Sequence, residues 1–307
     1  MDCRKQKQRN RRKQRRNKIE TFKKVAVGLL DEVYKASAKT AVLDGASELA
    51  KQGANADELI IPKIEMDGLG EYDRNSGYTA GDVTLTNETV KCNFDRGRMF
   101  TVDNVDNMDT AGTAFGRLAG EFIRTKVTPE IDAFRIAKYC ETEGADITGV
   151  AAAYESGEAA YKAIAGKYDA MTDAEVPETE RHLFITTAMA GLIRDMDKTK
   201  SKDLMSKFAS VQEMPKSRFY TAIEQMDGKS EGQTSGGYKK AEGGFELNFL
   251  IVHKGAVIQF GKHVAPKVIT PEVNQDADAY KFGYRNVNIA DTYENKAAGI
   301  AGTYVSV

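Results

Sequence analysis

Apolar residues recur at spacings of three and four from Ile19 onward, at Phe22, Ala26, Leu29, Leu30 and Val33. That period predicts an amphipathic helix, broken near Gly45, reaching Lys51 and ended by Gly53-Ala-Asn55. Leu59-Ile-Ile-Pro-Lys-Ile64 predicts a short strand. Pro62 has no N–H to give to a ladder, which places that strand at an edge. The glycine-rich polar stretch Asp67 to Asp82 predicts an extended loop with Tyr72 and Tyr78 exposed. Val83 and Leu85 alternate on one strand, and Val90, Cys92 and Phe94 on the next. Phe100 and Val102 continue that parity beyond Gly97. These strands predict a long two-stranded arm turning near Asn87-Glu88. Such a ribbon is marginal alone and needs a neighbour, for which a second subunit qualifies.

Asp106 or Asp109 is the candidate cap of the next element. Ala111, Phe115, Leu118 and Phe122 keep helical spacing, and Ile131, Phe134 and Ala137 carry it to about Glu141. Thr128-Pro129-Glu130 interrupts the stripe. Proline is tolerated in a first turn, so either a new helix starts there or one long helix kinks. Roughly thirty helical residues span ~45 Å, long for a compact domain. Beyond Gly144 the pattern predicts a helix over 151–168, a buried strand Leu183–Thr186, and helices at Met189–Met196 and Lys202–Phe208. A strand at Arg218–Ile223 and a glycine-rich loop over 227–244 follow. Phe249–Val252, Val257-Ile258, Val268-Ile269, Tyr280–Asn288 and Ile300–Val305 read as closing strands.

Charge changes the picture at the N-terminus. The 307 residues carry a formal charge of -1, but residues 1–18 hold ten Lys and Arg and one acid. The rest has 34 bases and 44 acids, a body at -10. Residues 1–18 contain no apolar side chain besides Met1 and Cys3, so they predict a disordered arm until a partner is met. Arg4, Arg9, Arg11, Arg12, Arg15 and Arg16 are its candidate nucleic-acid or scaffold contacts, since each base that neutralises a phosphate releases a counterion. Arginines interleaved with Gln and Asn are also similar to peptides that fold on RNA. Three other readings stay open: a solvated tail, an arm for an acidic protein partner, or upstream sequence read from an early start. Three cysteines without a CxxC pair point to a reducing compartment. No apolar run approaches the ~18 residues of a membrane span, and no apolar core follows the N-terminal charges as in a secretory signal. The expectation is a protein made and used in the cytoplasm, without a membrane.

Catalytic signatures are missing from the sequence. It has no GxxxxGK[ST] phosphate loop, GxSxG elbow, HExxH or paired Cys-His spacing. Gly68-Leu-Gly70 does not lead from a strand into a helix, so it reads as loop chemistry. His182, His253 and His263 lie far apart in sequence, the first two expected at strand ends and the third in a loop. No catalytic, cofactor-binding or metal residue is assigned, and the chain is expected to be structural and not an enzyme. Tyr72, Arg74 and Tyr78 are candidate inter-subunit contacts; an ordinary flexible loop is the competing reading.

Several segments carry a family resemblance. Cys92-Asn-Phe-Asp-Arg-Gly-Arg-Met-Phe-Thr-Val-Asp103 resembles the strand that leads from the extended loop into the peripheral domain of tailed-phage major capsid proteins of the Hong Kong 97-like fold. Val127-Thr-Pro-Glu-Ile-Asp-Ala-Phe-Arg-Ile-Ala-Lys138 resembles the second half of their spine helix. Arg181-His-Leu-Phe-Ile-Thr186 is similar to an axial-domain core strand, and Val211–Phe219 to the segment after it. Asn286 to Val305, with Asn295-Lys296-Ala-Ala-Gly-Ile300, is similar to the last strands. Thr187 departs from the pattern where a proline commonly stands, and no motif carries a lysine–asparagine crosslink onto Lys91.

The resemblance covers roughly residues 19–307 and implies an α+β fold. Its parts would be a basic arm (1–18), a helical N-terminal arm (19–57) and an extended loop with flanking strands (58–104). A spine helix (105–143), a mixed α/β axial domain (144–265) and closing strands (266–307) complete it. It implies a major capsid protein whose hexamers and pentamers build an icosahedral virion shell around double-stranded DNA. A scaffolding protein and a portal are further implied partners. An acidic inner wall suits packed DNA, because like charge prevents sticking. The alternatives are an encapsulin-type nanocompartment shell, which encloses enzymes, and an RNA-binding protein acting through the arm.

Overall fold

The computed structural model describes residues 38–45, 51–52, 58–74, 77–104, 113–196 and 198–306. In chain order these form a 3-10 turn at Lys39–Leu43 and strands β1 (Lys51–Gln52), β2 (Glu58–Met66), β3 (Val83–Lys91) and β4 (Phe94–Asp103). Helices α1 (Thr113–Phe122) and α2 (Thr128–Cys140) follow, joined by one π-helical turn at Ile123–Val127. Next come β5 (Asp146–Val150), α3 (Gly157–Asp173), β6 (Arg181–Thr186), α4 (Thr187–Asp195) and α5 (Lys198–Ser206). The chain closes with β7 (Ser210–Met214), β8 (Ile223–Met226), β9 (Gly237–Lys240), β10 (Glu246–His253), β11 (Val257–Ile269), β12 (Ala279–Thr292) and β13 (Ile300–Val305).

Five of these strands make the sheet of an axial body, in the order β5-β13-β10-β6-β7. Its two central strands read as unbroken apolar runs because both faces are covered. Leu183, Ile185, Phe249, Ile251 and Ala301 pack against Ile164, Met171, Ile193 and Leu204 of α3–α5. Phe184, Leu250, Val252 and Ile300 face the other way, into a core shared with Ile136 and Tyr139 of α2. Each such side chain contributes roughly 1.5–3 kcal/mol on burial. Ser156 accepts from the Ala159 amide at 3.2 Å and Thr186 from the Met189 amide at 3.4 Å, so α3 and α4 both begin on a side-chain cap. The helix predicted from Ala151 therefore starts at Gly157, and the residues before it include a strand, β5, that its two apolar positions had not signalled.

The second layer is the three-stranded antiparallel sheet β11-β12-β4 with the long helix laid across it. Aromatic pairs weld the two: Phe94 to Phe134 at 5.0 Å, Phe100 to Phe122 at 4.8 Å and Phe122 to Tyr284 at 6.1 Å between ring centroids. The helix runs from Thr113 to Cys140 with its irregularity just before Pro129, which occupies the first turn of α2. There the Ile123 carbonyl accepts from the Thr128 amide and also from the Thr128 hydroxyl, the latter at 3.0 Å. β11 is one strand with a bulge between Gly261 and His263, not two short ones, so His263 sits in a ladder and not in a loop.

Three further expectations change. Val83–Lys91 runs straight through Asn87-Glu88 and pairs along its length with β2. The ribbon is thus β2–β3, and the glycine-rich stretch Asp67–Asp82 makes the reversal. β1 pairs with β2 at Leu59 and Ile60, so β2 is the middle strand of the sheet β1-β2-β3 and not the edge strand predicted from Pro62. Arg218–Ile223 gives way to a 3-10 turn at Lys216–Arg218 followed by β8, and the 227–244 loop contains β9. Of the helix predicted over 19–51, only 38–45 and Lys51 fall within the described residues, where Lys39–Leu43 forms the 3-10 turn. The candidate caps Asp106 and Asp109 and residues 1–18, including Arg4, Arg9, Arg11, Arg12, Arg15 and Arg16, lie outside them.

Candidate assembly surface

The ribbon is rooted and then left bare. At its base Val90 is buried against Ile258 and Ile289, with Cys92, Phe260 and Tyr293 around them. From Glu58↔Lys91 to Met66↔Val83 the two strands stay in register for nine residues, ~30 Å of extended chain. Val83 and Leu85 share a face by the two-residue period, and Met66 stands directly opposite Val83. These three side chains are 66%, 64% and 71% exposed. Apolar alternation normally marks a core-facing strand, yet here the row faces outward.

The tip is ordered by its own polar groups. Asp73 and Gly77 bridge backbone to backbone, with Gly77 at φ +82°. The Thr79 hydroxyl donates to the Glu71 carbonyl at 2.9 Å, and the Asp82 amide donates to the Asp67 carboxylate at 2.8 Å. The effect is to bring Tyr72 and Tyr78 together, edge to face, at 4.9 Å. Both are exposed, as are Leu69 and Arg74. Residues 65–82 hold five acids and one base, so two paired tyrosines sit in an acidic field. The candidate contacts Tyr72, Arg74 and Tyr78 thus occupy one small projecting turn. The strip at Met66, Val83 and Leu85 was not singled out from the sequence; its signal was the Val83/Leu85 alternation itself.

Behind the ribbon, a buried polar hub fixes where the N-terminal segment joins the body. Asp132 of α2, wholly buried, accepts from the Lys39 amide at 3.2 Å, the Thr40 amide at 3.1 Å, the Thr40 hydroxyl at 2.7 Å and Arg218 at 3.2 Å. Arg135 reaches the Thr40 hydroxyl at 3.1 Å and the Asp44 carboxylate at 3.4 Å. Gln259 donates to the Thr40 carbonyl at 2.8 Å and accepts from the Tyr139 hydroxyl at 2.5 Å. Burial pushes the Tyr139 phenol up, and the Cys140 thiol with it. The hub is a connected buried polar network, which specifies one arrangement more than it adds stability.

His182 and His253 lie near one another at strand ends, as expected. His182 shares a hydrogen bond with Ser210 at 2.8 Å, and His253 ends β10 beside it. Burial holds both imidazoles below their ordinary range, with Lys254 adding to the effect at His182. Among the described residues no group of three His, Cys, Asp or Glu side chains is placed to hold a metal ion, and no helix is long and apolar enough to cross a membrane.

No protein-family model and no curated protein matches the sequence. Solved structures do match. A capsid structure of Staphylococcus phage Andhra aligns with TM-score 0.53 at 10% identity, over 85% of this chain and 84% of that one. A capsid structure of cyanophage P-SCSP1u gives 0.52 at 9% identity, over 83% and 85%. A virus-like particle from Pyrococcus furiosus gives 0.52 at 9% identity, over 89% and 98%. The chain has the Hong Kong 97-like capsid fold. In the terms of that fold, β2–β3 is the extended loop, α1–α2 the spine helix, β11-β12-β4 the peripheral sheet and the five-stranded sheet the axial core.

Proposed function

We propose that the protein is a major capsid protein whose copies assemble as hexamers and pentamers into an icosahedral phage head around double-stranded DNA. The observation that carries this reading is the bare apolar strip on the extended loop, Met66, Val83 and Leu85, on a subunit of capsid fold. A ribbon of two strands with an exposed apolar face is unstable in water unless something covers it. In a shell, the body of an adjacent copy does so. On this reading the protein acts by packing and has no catalytic step, and its tyrosine-bearing tip is a rim contact. Scaffolding protein, portal and DNA are the partners such a shell needs, and the basic arm is one place for them to bind. The double variant Val83→Asp/Leu85→Asp tests it. The subunit should keep its circular dichroism and melting temperature but no longer form large particles by light scattering. Particles as abundant as the wild type's would contradict the role of the strip.

One observation favours a second reading. The match to the Pyrococcus furiosus virus-like particle spans 98% of that chain, so an encapsulin-type compartment fits the fold as fully as a phage head. Particle content separates them: purified particles with DNA support the first, particles with a protein cargo the second.

A further inference from the structure

Two arginines stand where the pattern of β4 calls for apolar residues. Phe94 and Phe100 face the spine helix, and by the two-residue period Arg96 and Arg98 share that face. What lies over them is the β8–β9 hairpin, which leaves the axial sheet after β7 and returns to it at β10. Arg98 donates to the Thr234 carbonyl at 3.1 Å and the Ser235 carbonyl at 2.9 Å. Its guanidinium slots between two glycines: a Cβ on Gly236 would lie 2.8 Å from Nη1, and one on Gly228 3.4 Å. Both glycines have positive φ, +64° and +73°, so the loop is shaped around the arginine twice over. Arg96 donates to the Met226 carbonyl at 2.7 Å and the Gly237 carbonyl at 3.3 Å, the register pair that closes the hairpin. Its Nε also meets Glu130 of α2 at 2.5 Å. Two residues along, Asp132 takes Arg218, and the Tyr238 hydroxyl donates to the Ser217 carbonyl at 2.7 Å.

The loop also carries hydrogen bonds of its own. Asp227 accepts from the Lys229 amide at 2.8 Å, the Ser230 amide at 2.9 Å and the Ser230 hydroxyl at 2.5 Å, which brings its carboxyl down to about 2. Gln233 accepts from the Asp227 amide at 3.1 Å. A loop organised internally and then gripped from outside moves as one body. We propose that Arg96 and Arg98 are positioning residues: they clasp the β8–β9 hairpin to the peripheral sheet and so set the angle between the axial body and that sheet in the assembled shell. The inference rests on the shell reading. In a closed shell the angle recurs in every copy, so a small change in it accumulates into a change of curvature. Arginine suits the task because its planar fork addresses two successive carbonyls, which a lysine point charge does not.

The test uses the full chain with Arg98→Ala, Gly236→Ala and Arg98→Lys. Gly236→Ala displaces the guanidinium without removing a charge, and Arg98→Lys keeps charge and stem should Arg98→Ala misfold. Amide exchange of residues 228–237, read on unassembled subunits, should accelerate about tenfold in the first two variants, the loss expected for a charged hydrogen-bond pair. The lysine variant should fall between them and wild type, and exchange in α3 and β10 should stay unchanged. Particles of the first two variants should lose a single diameter under electron microscopy. Loop exchange at the wild-type rate would overturn the proposal. So would faster exchange with unchanged diameter, because the grip would then be structural only. Wild-type protein that forms no particles would contradict the shell reading, while the exchange arm would still test the grip.

Discussion

Arg181 is wholly buried, and it ends a helix. Its guanidinium donates to the carbonyls of Tyr168 at 3.0 Å, Val176 at 2.5 Å and Pro177 at 2.9 Å and to the Thr172 hydroxyl at 3.0 Å, while lying 4.4 Å over the Tyr168 ring. Tyr168 is in the last turns of α3, where the helix dipole is negative. Arg181→Met should cost about 3 kcal/mol in urea unfolding, since several buried acceptors lose a charged donor at once. Lysine at this position should not restore it. The sequence marked Arg181 as the start of a core strand but not as this cap, because the helix end and the strand meet only through the turn between them. Asp132 was hidden for the same reason: its partners Thr40 and Arg218 are 92 and 86 residues away.

Glu130 is a residue whose chemistry gives a pH signature. Burial raises its carboxyl above 4.5, and Arg96 pulls it back only in part. A carboxyl raised in the folded state favours folding below its unfolded value and loses that contribution as pH rises through the folded value. Glu130→Gln removes the term. The unfolding free energy of the variant relative to wild type should therefore improve between pH 4 and pH 7. A difference that moves the other way would show that the Arg96 pair outweighs burial.

At the scale of elements, the long helix was the most legible part. Its apolar stripe, its interruption at Thr128-Pro129 and its continuation to about Glu141 were all in the spacing. The π-helical turn was not, because it depends on the Thr128 amide reaching back five residues to the Ile123 carbonyl. Thr128→Val keeps the shape and removes the hydroxyl's bond to the Ile123 carbonyl, which keeps the Thr128 amide as a donor, so it should cost only about 0.5 kcal/mol in chemical denaturation. The ribbon was legible as a ribbon but assigned to the wrong strands. Asn87-Glu88 resembles a turn by residue type, whereas Gly77, with its positive φ, lies in the stretch that reverses the chain. Pairing is non-local, and alternation alone does not say which strand is the partner.

For the whole molecule, the order of the described elements could be read from the sequence: ribbon, long helix, α/β body and closing strands. The layers could not, because they depend on which face of each strand meets which helix. Charge acts at this scale too. The body carries -10 and its projecting tip five acids against one base, so copies repel at long range. Residues 1–18, with ten bases, offset most of that. Deleting them should shift particle formation to higher salt, where the screening length falls from ~10 Å at 0.1 M towards ~3 Å at 1 M. An unchanged salt threshold would leave the arm without a part in assembly.

The most direct measurement is electron microscopy of the purified protein. The account predicts closed icosahedral particles in which hexamers and pentamers resolve, with each β2–β3 ribbon lying over an adjacent subunit and Met66, Val83 and Leu85 covered. A monodisperse monomer, or particles in which those three side chains remain bare, would contradict it.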